Sequence, residues 1–435
     1  MKMNKASLMK KLFALGLSLS LILSMAACGQ QAQEQEAAED TTAVSETAAD
    51  TAETETVITT ANVTSGGAID ASDLFSKRDL TQTADLSEAE YLTGSDGQDI
   101  DITTAGVYVI TGNASDVTIS VDTGDEDKVQ IVLNEVSITN SDSPAIYVKN
   151  ADKVFVTTTE TENTLKVTGE FTADGDTNTD AVIFSKDDLV LNGLGTLNIV
   201  STDNGVTSKD DLKITGGTLN ITAESDALEA NDSIAIADGK ITISSGKDGM
   251  HAENDEDNTL GYIYICGGTF NIDAADDGIQ ATTILQIDGG EFGITSAEGL
   301  EATHVQINGG SIDIDATDDG INGSDKSTAL GVEVEINGGD VTVSMGQGDT
   351  DAIDSNGALT ITGGNIDITA QSPFDFDGTG TFTGGTVTVN GQEITQLSNQ
   401  MMGGGMMGGM PGGGGGFGGP GGGPGGGFGG PGFGG

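Results

Sequence analysis

The chain has 435 residues and carries 68 acidic against 16 basic side chains, which gives a formal net charge of -52. This excess of negative charge excludes electrostatic binding to nucleic acid or to anionic lipid surfaces, and it favours cations as partners. Only 36% of the residues are hydrophobic, a fraction that suits a narrow core rather than a compact globule.

The N-terminus has the features of an export signal. Basic residues within the first eleven positions precede an apolar run, residues 12–25, which is short for a membrane span but typical of a signal peptide. The run ends in Met25-Ala26-Ala27-Cys28-Gly29, which resembles a bacterial lipobox with Met in place of the usual Leu. We therefore predict a signal peptide over residues 1–27 and lipidation of Cys28. The mature protein is expected on the extracellular side of the bacterial cell membrane, held by its lipid anchor; a plain secretory signal is the alternative.

Three further segments follow from composition. Residues 28–65 are rich in Gln, Glu, Ala and Thr, which predicts a disordered acidic linker. Residues 397–435 hold Met, Gly, Pro and Phe almost alone, which predicts a disordered tail. Between them, residues 66–396 carry strand signals throughout.

A repeated unit dominates the C-terminal two thirds of the chain. One copy, residues 285–302, reads LQIDGGEFGITSAEGLEA, and the next, residues 305–321, reads VQINGGSIDIDATDDGI. The base period is about 20–22 residues, with longer turns at residues 253–261 and 324–331. Period-2 alternation inside such a repeat predicts stacked β turns, each burying its apolar face against its neighbours. Three short strands and three corners fit this period, so we predict an all-β solenoid, the coil of a parallel β-helix.

The repeat also predicts a column of acids, which we call the acidic edge. Aligned on the acid-Gly/Ala-apolar step, its first column reads Asp180, Asn204, Asp226, Asp248, Asp277, Glu298, Asp319, Asp351 and Ser372. The position three residues later reads Ile183, Thr207, Glu229, His251, Gln280, Glu301, Asn322, Asp354 and Asp375. The apolar residue between the two columns should point inward, so both polar columns should project from one edge.

Stacked carboxylates are costly. Neighbouring parallel strands lie about 4.8 Å apart, and two carboxylates at that distance repel by about 3 kcal/mol at an effective dielectric constant of ~20. The repeats hold too few Lys and Arg to neutralise the column, and oxygen-only ligands suit Ca²⁺. The alternative is a solvated acidic edge that aids solubility. The predicted metal ligands are Asp226, Glu229, Asp248, Asp276, Asp277, Glu298, Glu301, Asp318, Asp319, Asp351 and Asp354. The two histidines, His251 and His304, are expected to be ordinary surface residues, with His251 as an alternative ligand.

Residues 73–392 resemble a clostridial-type family of carbohydrate-binding domain-containing surface lipoproteins. The resemblance is carried by residues 102–112, ITTAGVYVITG, by residues 129–140, VQIVLNEVSITN, and by repeats such as Asp248-Gly249-Met250-His251-Ala252. It implies a right-handed parallel β-helix similar to polysaccharide lyases, bound Ca²⁺, and binding of cellulose and acidic sugars without cleavage.

We therefore expect a non-enzymatic, Ca²⁺-dependent binder of acidic polysaccharide such as polygalacturonate. Cellulose as a ligand follows from the resemblance alone. A structural, Ca²⁺-stabilised adhesin or matrix protein is one alternative. A polysaccharide lyase is another, but such enzymes need a positioned Arg or Lys base, and the one arginine, Arg78, precedes the repeats. Lysines such as Lys209, Lys247 and Lys326 could serve as the base, but they are expected instead to balance part of the acidic column. Paired acids of the kind a hydrolase uses arise here in many turns without selection for catalysis. No catalytic residue is predicted.

Overall fold

The computed structural model of the chain describes residues 69–346 and 350–399. The predicted signal peptide (1–27), Cys28, the linker (28–65) and the tail from residue 400 onward lie outside the described residues. Within the described part, no helix has the length and hydropathy that a membrane span requires.

Strands, numbered β1 to β34 along the chain, make up most of the described residues. Each turn contributes strands to three parallel ladders, which we call first, second and third in the order in which a turn enters them. The three ladders confirm the prediction of an all-β fold with a long parallel sheet. The first ladder contains β2 Ile100–Ile102, β4 Ile119–Asp122, β6 Ile146–Asn150, β9 Ala181–Ser185, β12 Asn204–Ser208, β15 Leu228–Ala230, β18 Met250–Ala252, the beginning of β21 Asp277–Ile287 and of β23 Glu298–Ile307, β25 Ile321–Gly323, β28 Ile353–Ser355 and β31 Asp375–Phe376.

The second ladder follows the first within each turn. It contains β1 Glu90–Thr93, β3 Gly106–Ser115, β5 Lys128–Asn140, β7 Lys153–Thr158, β10 Asp188–Gly193, β13 Asp211–Ile214, β16 Ser233–Ile236, β19 Tyr262–Ile265, the ends of β21 and β23, β26 Glu333–Ile336, β29 Ala358–Ile361 and β32 Gly380–Phe382. The long strands β21 and β23 therefore join the first two ladders without a break.

The third ladder closes each turn. It contains the ends of β3 and β5, then β8 Glu162–Val167, β11 Thr196–Val200, β14 Thr218–Ala223, β17 Lys240–Ser245, β20 Thr269–Ala274, β22 Glu291–Ser296, β24 Ser311–Ala316, β27 Asp340–Met345, β30 Asn365–Thr369 and β33 Thr386–Val389. The last strand, β34 Gln392–Ile394, pairs antiparallel with β33.

The core is a column of apolar side chains inside the turns. In the third ladder, β24 buries Ile312, Ile314 and Ala316 and exposes the residues between them, which is the alternation the sequence predicts. The apolar residues between the two polar columns point inward as predicted, and all are fully buried: Leu228, Met250, Ile279, Leu300, Ile321 and Ile353. The residues of the acidic edge thus alternate with buried core residues.

Glycine inside the acid-Gly-apolar step has a steric cause. A Cβ on Gly299 would lie 2.3 Å from the carbonyl oxygen of Gly320 and 2.6 Å from Cγ2 of Ile314. Since real Cβ atoms do not approach other atoms so closely, the stacked turns leave room for a hydrogen only. The second glycine of the Gly-Gly pair has another role, because Gly339 turns its corner with φ at 88°.

An N-terminal segment, residues 69–89, runs along the outside of the second ladder. The Ile69 N–H donates to Gln286 Oε1 at 2.6 Å, and the Phe75 ring lies 6.4 Å from that of Tyr264. Further along, the Arg78 guanidinium lies 4.4 Å above the Phe155 ring. This segment therefore covers part of the outer face of the second ladder.

Candidate metal centre

The acidic edge lies where each turn enters the first ladder, and the predicted columns hold from Asn204 onward. Glu229 pairs with His251, and His251 pairs with Gln280. One turn earlier the alignment is wrong by one residue, because Ala181 rather than Asp180 pairs with Asn204. That turn carries one more residue between the acid and the serine that ends the strand.

The first column binds the backbone of the next turn. The backbone N–H of Asp248 donates to Asp226 Oδ1, and that of Asp277 donates to Asp248 Oδ1, each at 3.0 Å. The same bond joins Asp226 N–H to Asn204 Oδ1 at 3.0 Å and Asp351 N–H to Asp319 Oδ1 at 3.1 Å. One oxygen of each of these side chains therefore holds the stack together, and the three aspartates, Asp226, Asp248 and Asp319, keep a second oxygen for a ligand.

The structure brings five of the predicted metal ligands into two overlapping sets. Asp248, Asp276 and Asp277 each offer a carboxylate oxygen, and these atoms lie within 4.8 Å of one another. Asp277, Glu298 and Glu301 meet the same condition. Asp277 belongs to both sets and is 4% exposed, so it is the centre of the acidic edge.

The electrostatics follow from this crowding. Burial, and then the charges of Asp248, Glu301 and Glu298, raise the pKa of Asp277 to about 9. Burial also raises the pKa of Glu298 to about 7 and that of Asp248 to about 6. Without a cation, Asp277 therefore holds a proton at neutral pH, which a bound metal ion would replace.

An unsatisfied oxygen beside these sets supports the fit to a hard cation. Asn322 is 8% exposed, and its Nδ2 donates to Glu298 Oε2 at 2.8 Å. Its Oδ1 is buried without a hydrogen-bond partner. An amide oxygen among carboxylate oxygens is a donor set that Ca²⁺ accepts, and buried oxygens rarely stay unpaired without cause. Asn322 is a candidate ligand that the sequence argument passed over, although it lies in the second polar column.

Two lysines reach the second column and balance part of its charge, as the sequence argument expected. The Lys326 ammonium lies 2.8 Å from Glu301 Oε2, and that of Lys209 lies 3.1 Å from Glu229 Oε1. Thr207 Oγ1 also donates to Glu229 Oε2 at 3.0 Å. Glu229 is therefore held by its neighbours and does not join Asp226 in a metal-ligating set within the described residues.

The remaining predicted ligands lie further along the edge. Burial raises the pKa of Asp319 to about 6 and that of Asp354 to about 7, so the edge stays crowded there. The hydroxyl of Ser372 donates to Asp351. In the described part of the chain, no metal-ligating set of three includes Asp318, Asp319, Asp351 or Asp354.

The histidines differ from the expectation of ordinary surface residues. His304 is 4% exposed. His251 forms a third set with Asp226 and Asp248, whose ligand atoms again lie within 4.8 Å of one another. The sequence signal was its place in the second polar column, where the adjacent turns carry Glu229 and Gln280.

Comparison with known proteins gives three findings. A family model described as a carbohydrate-binding domain-containing protein matches residues 96–350, more than half of the chain. A carbohydrate-binding domain-containing protein of Acetivibrio thermocellus is 36% identical over 124 residues, which cover 28% of this chain and 43% of the relative. The chain thus spans less than half the length of this curated relative. A solved structure, the polysaccharide lyase-like protein from C. thermocellum in a gadolinium derivative, is 31% identical with a TM-score of 0.46, over 52% of this chain and 96% of the other.

Proposed function

Because the chain belongs to the carbohydrate-binding domain-containing protein family, we propose that it binds acidic polysaccharide through Ca²⁺ at the acidic edge and does not cleave it. We further propose that the three ladders wind as a right-handed parallel β-helix, since parallel crossover connections are right-handed in nearly all proteins. Lipidation of Cys28 would hold this domain on the extracellular side of the bacterial membrane.

The observation that carries the proposal is the shared position of Asp277 between two carboxylate sets. Ca²⁺ takes six to eight oxygen ligands in a tolerant geometry. Asp248, Asp276, Asp277, Glu298 and Glu301 would hold it, with Asn322 Oδ1 as a neutral donor beside them. Bound there, Ca²⁺ would supply positive charge and free ligand positions to a uronate carboxylate. Direct contact between a uronate and this edge would otherwise be repulsive.

Acidic sugar fits this chain better than cellulose. Neutral glucans stack on exposed aromatic rings, but the tyrosines of the repeats, Tyr262 and Tyr264, are each only 3% exposed, and the exposed ring of Tyr91 lies in β1, outside the repeats. Three of the cations that could act as the base of an acid–base mechanism are also engaged. Arg78 stacks on Phe155, while Lys326 and Lys209 pair with Glu301 and Glu229. These contacts favour binding over eliminative cleavage. They do not separate a glycan binder from a structural, Ca²⁺-stabilised adhesin, which remains the second candidate.

Native affinity electrophoresis tests the proposal. The full-length protein is run through gels that contain polygalacturonate, with Ca²⁺ in one gel and chelator in the other. We expect retardation in the Ca²⁺ gel alone, with no unsaturated product in solution. Release of unsaturated product would make the protein a lyase. Equal mobility in both gels and in a gel without polymer would refute Ca²⁺-bridged binding and favour cellulose or a structural role.

A further inference from the structure

A cleft opens beside the turn that carries His251. It has a volume of about 480 Å³ and is lined by polar side chains, among them Lys209, Glu229, His251 and Glu253. The insertion at residues 253–261 forms one wall. Asn254 Nδ2 fixes this wall to the preceding turn by donating to Asp232 Oδ1 at 2.7 Å.

The second insertion, residues 324–331, braces the first. Ser327 Oγ donates to the carbonyl oxygen of Asn258 at 2.6 Å, and Asn258 Nδ2 donates to Thr328 Oγ1 at 2.9 Å. The cleft wall is therefore fixed by contacts at two levels of the stack, and it stands beside the only turn whose second polar column carries an imidazole.

His251 faces two carboxylates at distances unlike those of a hydrogen bond. Its Nδ1 lies 3.6 Å from Asp226 Oδ2 and 3.6 Å from Asp248 Oδ2, whereas hydrogen bonds of this type are about 2.7–3.2 Å long. Ligand atoms at about 2.1 Å from a tetrahedral metal ion lie about 3.4 Å apart. The two distances from Nδ1 are thus close to those that such an ion requires, and all three ligand atoms lie within 4.8 Å of one another.

The surroundings hold these three donors in place. Asp226 and Asp248 each use Oδ1 to accept a backbone N–H from the next turn, at 3.0 Å, so their Oδ2 atoms are oriented toward His251. The other imidazole nitrogen, Nε2, lies 3.5 Å from Glu253 Oε2 on the cleft wall. A carboxylate behind the second ring nitrogen is the usual support of a metal-binding histidine.

We propose that His251, Asp226 and Asp248 form a binding site for a borderline divalent cation such as Zn²⁺, next to the cleft that His251 lines. An imidazole nitrogen with two carboxylate oxygens suits Zn²⁺, while Ca²⁺ takes oxygen ligands alone. The acidic edge thus carries two kinds of cation site in adjoining turns, and Asp248 belongs to both. This inference goes beyond the proposed glycan binding and does not depend on it.

Calorimetric titration of the untagged full-length protein with ZnCl₂, and separately with CaCl₂, tests the site. His251→Gln removes the imidazole and copies Gln280, which occupies the same column in the next turn. His304→Gln is the matched control. We expect Zn²⁺ binding to weaken at least tenfold in His251→Gln, with Ca²⁺ binding unchanged, and to stay at the wild-type value in His304→Gln.

Glu253→Gln keeps the test decisive if His251→Gln folds poorly, because Glu253 has an exposed side chain. It should weaken Zn²⁺ binding by about tenfold through the lost support of the imidazole. The inference is overturned if Zn²⁺ binds the wild type no more tightly than Ca²⁺, or if a folded His251→Gln binds Zn²⁺ like the wild type. Retardation of His251→Gln by polygalacturonate in Ca²⁺ separates the two hypotheses, since it persists if only the zinc site is lost.

Discussion

In the protein without Ca²⁺, the free energy of unfolding should fall as the pH rises. Asp277 sets the size of this fall. Its pKa is about 9 in the folded protein and near the ordinary 3.8 in the unfolded chain. Between these two values the metal-free folded state holds a proton that the unfolded state releases, so the free energy of unfolding falls with rising pH.

The magnitude follows from one retained proton. The slope is about 1.4 kcal/mol per pH unit, so the loss between pH 7 and pH 8.5 is about 2 kcal/mol. For a protein of this size, about 2 °C of midpoint temperature corresponds to 1 kcal/mol, which predicts a fall of about 4 °C. With saturating Ca²⁺ the ligand carboxylates stay ionised, and the part of the fall that Asp277 causes over this pH range should disappear.

Thermal unfolding followed by circular dichroism, in chelator and in Ca²⁺ at both pH values, measures this difference. Asp277→Asn removes the group with the most strongly raised pKa, so its midpoint in chelator should fall less than that of the wild type, with the remaining fall coming from Glu298 and Asp210. Asp313→Asn makes the same substitution at an exposed position of the third ladder and should behave like the wild type. A midpoint in chelator that stays constant or rises with pH in the wild type would refute the reasoning.

Three further predictions concern the counter-ion, the stacking and the anchor. Lys326→Met removes the ammonium 2.8 Å from Glu301. It should lower the midpoint temperature of unfolding in chelator and enlarge the rise in that temperature on addition of Ca²⁺. An unchanged rise would mean that Glu301 is not a ligand. Gly299→Ala places a Cβ 2.3 Å from the Gly320 carbonyl oxygen. Chemical denaturation should therefore show a free energy of unfolding that is lower by about 2 kcal/mol or more. A variant as stable as the wild type would show that the turns can separate there. Cys28→Ser should abolish incorporation of labelled palmitate in growing bacteria, and retained label would place the lipid elsewhere.

Much of the fold could be predicted because the repeat encodes it. The inward residues Leu228 to Ile353 follow from period-2 alternation, and the glycine before Leu300 follows from the contact between stacked turns. The predicted alignment of the turns was wrong only at Asp180, where the turn contains one additional residue. A period alone does not reveal such an insertion, because it shifts the acid without changing the apolar pattern.

The candidate site was predicted as a column but not as individual sets. Spacing indicated that Asp277, Glu298 and Glu301 share an edge, and the structure brings them together. It did not indicate that Lys209 would pair with Glu229, or that Lys326 would return to Glu301 from a long insertion. Such contacts depend on how the loops fold over the ladder. The role of His251 likewise depends on a cleft wall that the repeat does not contain.

The most direct test of calcium-bridged glycan binding compares Asp277→Asn with Asp313→Asn and the wild type on immobilised polygalacturonate in Ca²⁺. The two substitutions remove the same charge, one from the centre of the acidic edge and one from an exposed position of another ladder. The account predicts that Asp277→Asn loses at least tenfold in affinity, while Asp313→Asn binds like the wild type. Equal binding by all three proteins would contradict it.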